Sequence, residues 1–205
     1  MPRYDPATAL IVVDVQNDFA DPAGSLSVAG GEDVIPTIDG EIAKATVAGG
    51  LVVFTQDWHP KVTPHFAKDG GPWPVHCVAG TWGAALHPDL VAPDAAPRVR
   101  KGVNGEDGYS GFTMRDPTTG QETPTELDGL LRDGGIERVV VVGIATDHCV
   151  KATALDAARL GYVTSVLSDA IAAVDVAPGD GAQALDEMAA AGVSLSTSGD
   201  ASDTG

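Results

Sequence analysis

Long apolar runs are missing from this chain of 205 residues, and none approaches the ~18 residues that a membrane-spanning helix needs. Positive charge is scarce: 12 Lys and Arg stand against 29 Asp and Glu, a net of −17. Such a surface repels a phosphate backbone and an anionic membrane, so neither nucleic acid nor a membrane is an expected partner. A neutral or cationic small molecule is not repelled, and the same excess of acid serves colloidal solubility. Cysteine is rarer still, with only Cys77 and Cys149. The segment MPRYDPATALIVVD lacks the ordered regions of a signal peptide. The expected compartment is therefore the reducing cytoplasm, with a disulfide between the two thiols as the structural alternative.

Several signatures are also missing. No GxGxxG follows the first apolar run, and GxxxxGK[ST], HExxH, CxxC and GxSxG do not occur, which argues against dinucleotide and P-loop chemistry. Asp14-Val15-Gln16 has no second Asp two residues after the first, as a haloacid-dehalogenase-type phosphatase would want.

What is present is a rhythm. Short β-branched runs at Ala9 to Val13, Leu51 to Thr55, Arg138 to Ile144 and Tyr162 to Leu167 read as buried strands, with Pro97 to Arg100 as a weaker fragment and Val193 to Leu195 as a last edge strand. Between them, Val34, Ile38, Ile42 and Ala45 share a helical face, as do Leu127, Leu130 and Leu131, then Val150, Ala154, Ala157 and Ala158. The alternation predicts an α/β fold with three α/β/α layers around a mostly parallel sheet of about six strands. The length suits one domain; we expect it to span residues 1–196, followed by a flexible tail at 197–205.

Ligands of such sheets bind beyond the carboxyl ends of the strands, where Asp14, Asp57, Lys101 and the segment from Ile144 fall. Residues 60–96 and 102–125 interrupt the rhythm with Pro, Gly and aromatics, and long loops of this kind tend to carry function. Asp57 and His59 lie two residues apart as the second strand runs out, so an extended backbone points both to one side. His65 follows the turn Pro60 to Pro64, and His76 follows the Pro-flanked Trp73. Imidazoles with a carboxylate suit zinc, iron or manganese; unrelated surface histidines are the alternative.

A second constellation is Gly143-Ile144-Ala145-Thr146-Asp147-His148-Cys149, where strand hands over to helix. Thr146 or Asp147 is expected to cap the helix. Cys149 then lies in its first turn, where the dipole and unpaired backbone N–H groups favour a thiolate and offer an oxyanion hole. An inert core thiol is the other reading. A nucleophile needs a base and a charge partner, for which Asp14 and Lys101 are candidates; either alone is more often a solvated charge or a structural ion pair.

Taken together, ALIVVDVQNDF, DWHPKVTPHF, WPVHC, Lys101 in RKG followed by YSGF, and GIATDHCVKATALDA resemble the cysteine amidohydrolases of the isochorismatase-like superfamily, specifically the nicotinamidase (pyrazinamidase-type) branch. The likeness runs from Ala9 to about Leu195. It implies an isochorismatase-like, Rossmann-like topology and a catalytic triad of Asp14, Lys101 and Cys149. It also implies one divalent metal ion, zinc first and iron or manganese next, on Asp57, His59 and His76, with His65 a ligand that varies among members. Phe19 and Trp73 match aromatic positions flanking a pyridine ring, with Tyr109 beside them. Ile144 and Ala145 match a cis peptide, and the Ala145 and Cys149 N–H groups match the oxyanion hole. Cys77 reads as a packed thiol, and His87 and His148 as structural, with contact to substrate the alternative for His148. The implied reaction converts nicotinamide to nicotinate and ammonia in NAD salvage. Another small-amide or ureido hydrolase, or a metal-binding protein with a vestigial catalytic set, stays open, as does a homo-oligomer.

Overall fold

The structure, a computed structural model, describes residues 3–200. In chain order the elements are β1 (Thr8–Val13), α1 (Asn17–Ala20), α2 (Ile35–Val47), β2 (Leu51–Asp57), β3 (Arg98–Lys101), β4 (Thr113–Arg115) and β5 (Glu122–Pro124). There follow α3 (Leu127–Asp133), β6 (Arg138–Ile144), α4 (Lys151–Arg159), β7 (Val163–Ala172), α5 (Asp180–Ala190) and β8 (Ser194–Ser196). The six expected strands form one sheet in the order β3-β2-β1-β6-β7-β8, and every neighbouring pair is parallel. Apolar runs without alternation fold this way because both sheet faces are covered.

Two apolar cores flank the sheet, and β1 feeds both by simple alternation. Leu10 and Val12 pack with Ile38, Ile42 and Ala45 of α2, whereas Ala9, Ile11 and Val13 pack with Leu127, Leu131, Ala154 and Met188 of α3, α4 and α5. The result is the three-layer α/β/α arrangement. No helix among the described residues is long and apolar enough to cross a membrane.

Several details differ from expectation. β2 runs to Asp57 and β7 to Ala172, each past the end of its apolar run, because pairing with β3 and β6 holds the backbone extended after hydrophobicity has faded. The short antiparallel β4-β5 ribbon and α5 were not anticipated, since the first has too few residues for a pattern and the second is mostly alanine, glycine and acid. Residues 197–200, expected in a flexible tail, are held: Ser198 donates to Asp169, and Arg3 donates to the carbonyls of Thr197 and Asp200. The rest of that tail, 201–205, lies outside the described residues.

The chain leaves β1 toward β2 and β3, then crosses back to β6, so the order reverses between β1 and β6. Such a switch point opens a crevice at the carboxyl ends of the strands. Asp14 follows β1 and Cys149 follows β6, one on each side of it.

Candidate active site and metal centre

Asp14 takes a left-handed conformation, φ 49°, immediately after β1. Across the switch point Gly143 supplies the close approach: a Cβ there would meet Val13 O at 2.1 Å. The strand-to-helix turn after β6 begins with a cis peptide between Ile144 and Ala145 and continues as a wide turn over Thr146–Val150 before α4. Neither Thr146 nor Asp147 caps it. Ala145 is the flanking residue with no side-chain cap, and the Asp147 carboxylate accepts the backbone N–H groups of Val174 and Asp175 at 3.0 and 2.9 Å instead. Burial opposes ionisation of Asp147, but those two donors pull its pKa below the usual range. Its side chain thus anchors the segment after β7 rather than the helix it precedes.

Lys101, at the end of β3, is 1% exposed. Its ammonium lies 2.7 Å from Asp14 Oδ2, 3.1 Å from the Tyr109 carbonyl and 3.5 Å from Cys149 Sγ. It is also 2.8 Å from Asp57 Oδ1, an ion pair too poorly aligned for a hydrogen bond. Burial alone would lower the pKa of this ammonium, yet facing Asp14 and Asp57 it is raised well above its ordinary value and stays charged. Burial raises the carboxyl of Asp14 and the charge of Asp57 adds to that, while Lys101 pulls the other way. An ionised Asp14 with a raised pKa is a competent proton acceptor. Asp57 is moved down by Lys101 and its histidines against the effect of burial.

Cys149 departs from expectation. Burial pushes its thiol well above its ordinary value and outweighs the pull of Lys101, so the resting state is a thiol rather than the thiolate expected from its place near a helix start. Desolvation of a sulfur anion exceeds what a single turn of helix supplies. Asp14, Asp57 and Cys149 also converge within 4.8 Å, but the ammonium of Lys101 already stands among them as the cation.

The histidines come together by backbone pairing. The His59 N–H donates to Cys77 O at 3.0 Å and Ala79 N–H to His59 O at 2.8 Å, while Trp73 N–H donates to His65 O at 3.3 Å. Residues 73–79 therefore run alongside 59–66, and His59, His65 and His76 offer ligand atoms within 4.8 Å of one another. Asp57 Oδ2 is 3.7 Å from His59 Nε2 and 3.8 Å from His76 Nε2. His76 donates Nδ1–H to Pro74 O and His65 Nδ1 bonds Asp107 Oδ1, both at 2.7 Å, so each leaves Nε2 for another partner. Burial lowers the pKa of His76 and keeps it neutral, the form that binds metal. Neither nitrogen of the buried His59 ring has a hydrogen-bond partner among the described residues. Orphaned imidazole nitrogens at 2% exposure are costly unless something binds them, and four donors of this kind suit a tetrahedral divalent ion. Gly102 closes the back of the site: with φ +73°, any Cβ there would lie 2.5 Å from His59 Nδ1.

These groups border a cleft of about 460 Å³, counting the space open to solvent, whose wall includes Phe19, Trp73, Tyr109, Ala145 and Cys149. Asp57, His65 and His76 reach it too. Ile144 does not; it is buried in the core beneath the cleft. His148, read as structural from the sequence, lines the cleft, with its ring edge-on to both Trp73 and Tyr109 at 5.3 Å between centroids. Trp73 Nε1–H donates to the Tyr109 hydroxyl at 3.1 Å, so the three rings form one wall. Leu26, Val28 and Val174 complete the apolar lining without any sequence motif to single them out. Cys77 is a buried free thiol, its N–H held by Asp18 Oδ2 at 2.7 Å. Both cysteines are free, so no disulfide joins them. His87 lies apart, near Asp21 and Asp89.

The comparisons with known proteins agree with this geometry. The Escherichia coli nicotinamidase is 39% identical over 97% of this chain and 99% of its own. The Mycobacterium tuberculosis nicotinamidase/pyrazinamidase is 43% identical over 91% of this chain and 97% of its own. Among solved structures, the pyrazinamidase of Pyrococcus horikoshii in complex with zinc superposes with a TM-score of 0.83 at 39% identity, covering 94% of this chain and 99% of that one. Residues 8–200 match the Isochorismatase domain, and with the switch-point crevice, the buried Lys-Asp-Cys cluster and the histidine centre in place, this chain belongs to the isochorismatase family.

Proposed function

We propose that this chain is a nicotinamidase, hydrolysing nicotinamide to nicotinate and ammonia through a thioester on Cys149, as a step of NAD salvage. The observation that carries the reading is the buried Lys101 ammonium, 2.7 Å from Asp14 and 3.5 Å from Cys149, with the Cys149 thiol on the wall of a ring-lined cleft that His65 and His76 also border. Asp57, His59, His65 and His76 would hold one divalent ion, zinc before iron or manganese. When bound, it supplies a Lewis acid toward the pyridine nitrogen. Phe19, Trp73 and Tyr109 supply flat apolar surface for the ring.

In the mechanism we assign, Asp14 takes the thiol proton as Sγ attacks the carboxamide carbon, and Lys101, within reach of both, holds the thiolate that forms. The N–H groups of Ala145 and Cys149 receive the oxyanion. Collapse breaks the C–N bond, and Asp14 returns its proton to the departing nitrogen, which leaves as ammonia. Water then gives a proton to Asp14 and adds to the thioester; the C–S bond breaks, the sulfur is reprotonated, and nicotinate leaves. A resting thiol suits this cycle, because the proton moves only when substrate has displaced water from the cleft.

A nucleophilic thiol needs a reducing compartment, which supports a cytoplasmic location, and the net charge of −17 favours a small neutral substrate over polyanionic partners. The test is ammonia release from nicotinamide, benzamide and an N-carbamoyl amine. We expect turnover of nicotinamide and much poorer turnover of benzamide, which lacks the ring nitrogen. Release from the carbamoylated amine alone, or from none of the three, overturns the assignment.

A further inference from the structure

We propose that Asp107 is a positioning residue that makes His65 a metal ligand, by holding the Nδ1 side of its ring so that Nε2 faces the ion. The inference rests on the reading of the histidine cluster as a metal centre and concerns the histidine in it whose ring bonds to a side chain of a different loop. His59 follows β2 directly and His76 is anchored through Pro74, whereas His65 sits in the loop between them. An imidazole on a loop has two ring orientations and two tautomers, and only one combination presents the correct nitrogen.

Asp107, on the loop from Gly102 to Tyr109, removes that freedom. Its Oδ1 lies 2.7 Å from His65 Nδ1, which leaves Nε2 as the available donor atom. The His65 ring is then stacked on His59, 4.5 Å between centroids and 20° from parallel, and edge-on to His76 at 5.2 Å. Asp107 is itself held. It accepts the Gly108 N–H at 3.0 Å and Arg115 Nη2–H at 3.2 Å, and its backbone pairs with that of Arg115 in both directions. A second tie lies close by, where Thr63 Oγ1 donates to Gly105 O at 3.0 Å and accepts the His65 N–H at 3.2 Å. The two loops are laced at two points, and only one of them grips the ring. The same loop carries Tyr109, whose carbonyl accepts Lys101 Nζ–H, so the segment that orients His65 also borders the nucleophile.

Carboxylates behind metal-bound histidines are worth ~10- to 100-fold in metal affinity. The test is the zinc dissociation constant, measured by competition with a chromophoric chelator, for the wild-type chain, Asp107→Ala, Asp107→Asn, His65→Ala and the Asp107→Ala, His65→Ala double variant. The absorption spectrum of each cobalt-loaded protein reports coordination independently of activity. We expect Asp107→Ala and His65→Ala to weaken zinc by similar factors, the double variant to be no weaker than His65→Ala, and Asp107→Asn, whose amide oxygen still accepts from Nδ1–H, to recover most of the loss. The cobalt spectrum of Asp107→Ala should match that of His65→Ala. Should the alanine variant not fold, Asp107→Leu, which fills the volume without an acceptor, carries the same expectations. Wild-type zinc affinity and spectrum in the variant that folds, or losses that add in the double variant, overturn this inference alone. A wild-type chain that takes up no zinc overturns it together with the metal reading.

Discussion

Replacing Lys101 by methionine keeps the length of the side chain and most of its volume and removes one charge. That charge serves two buried carboxylates at once, with Asp14 Oδ2 at 2.7 Å and Asp57 Oδ1 at 2.8 Å. Removing one partner of a buried ion pair leaves the other uncompensated and costs ~3–5 kcal/mol. For a chain of this size each kcal/mol moves Tm by roughly 2–4 °C, so the variant should melt roughly 6–20 °C below wild type. The measurement belongs in the presence of a chelator, since an ion on Asp57 would offset part of the loss. Activity should fall further than stability. Asp14 then faces Asp57 without a counterion, is protonated at neutral pH, and can no longer accept the thiol proton. Ammonia release should drop by ~10³-fold or more, as when one member of a concerted catalytic set is removed. A methionine variant that melts with wild type in chelator, or keeps a tenth of its turnover while folded, refutes the assignment of Lys101 as the shared cation.

Cys149→Ala should abolish ammonia release with a metal content equal to that of the wild-type chain; turnover above a tenth of wild type would sink the covalent mechanism. Gly102→Ala should weaken zinc by at least ~10-fold with the fold retained, because its Cβ would lie 2.5 Å from His59 Nδ1 and the ring must move by about 1 Å to restore contact distance; unchanged metal content after dialysis would contradict it. Tyr162 donates its hydroxyl to Asp128 at 2.7 Å, and burial first, then that bond and the charge of Asp128, push its pKa up to about 12 from 10.0. The unfolded chain releases this proton at lower pH than the folded one, so the contribution to stability is whole below pH 10 and disappears between pH 10 and about 12. Urea titrations of Tyr162→Phe should show a shallower loss across that window, and identical slopes would count against it.

The strands were legible in the sequence because burial on both faces selects continuous β-branched runs, and Asp14, Asp57 and Lys101 could be placed at strand ends from the point at which those runs stop. Asp14, Lys101 and Cys149 could be grouped, and the histidines with Asp57, because the segments that carry them resemble those of a known family. Other features left no such trace. Glu41, an acidic residue on α2, is fully buried, accepting hydrogen bonds from the Tyr4 hydroxyl at 2.8 Å and Lys44 Nζ at 2.6 Å. His148 carries both a structural and a substrate-contact reading, and only the wide turn over Thr146–Val150 sets its ring beside Trp73 and Tyr109.

The sequence by itself therefore determined the six strands of the main sheet and the helices α2, α3 and α4, that the sheet is parallel and covered on both sides, and which residue types stand at its carboxyl edge, since all of these follow from local periodicity and chain order. Tertiary structure alone decided which loop residues meet. Asp107 and His65 are separated by 42 positions and joined at 2.7 Å, Lys101 is shared between Asp14 and Asp57, and the Cys149 thiol is protonated because the closed fold withholds water from it. Pairings of that kind depend on how loops close over the crevice, and charge states depend on how much solvent that closure removes; neither is encoded in the spacing of neighbouring residues.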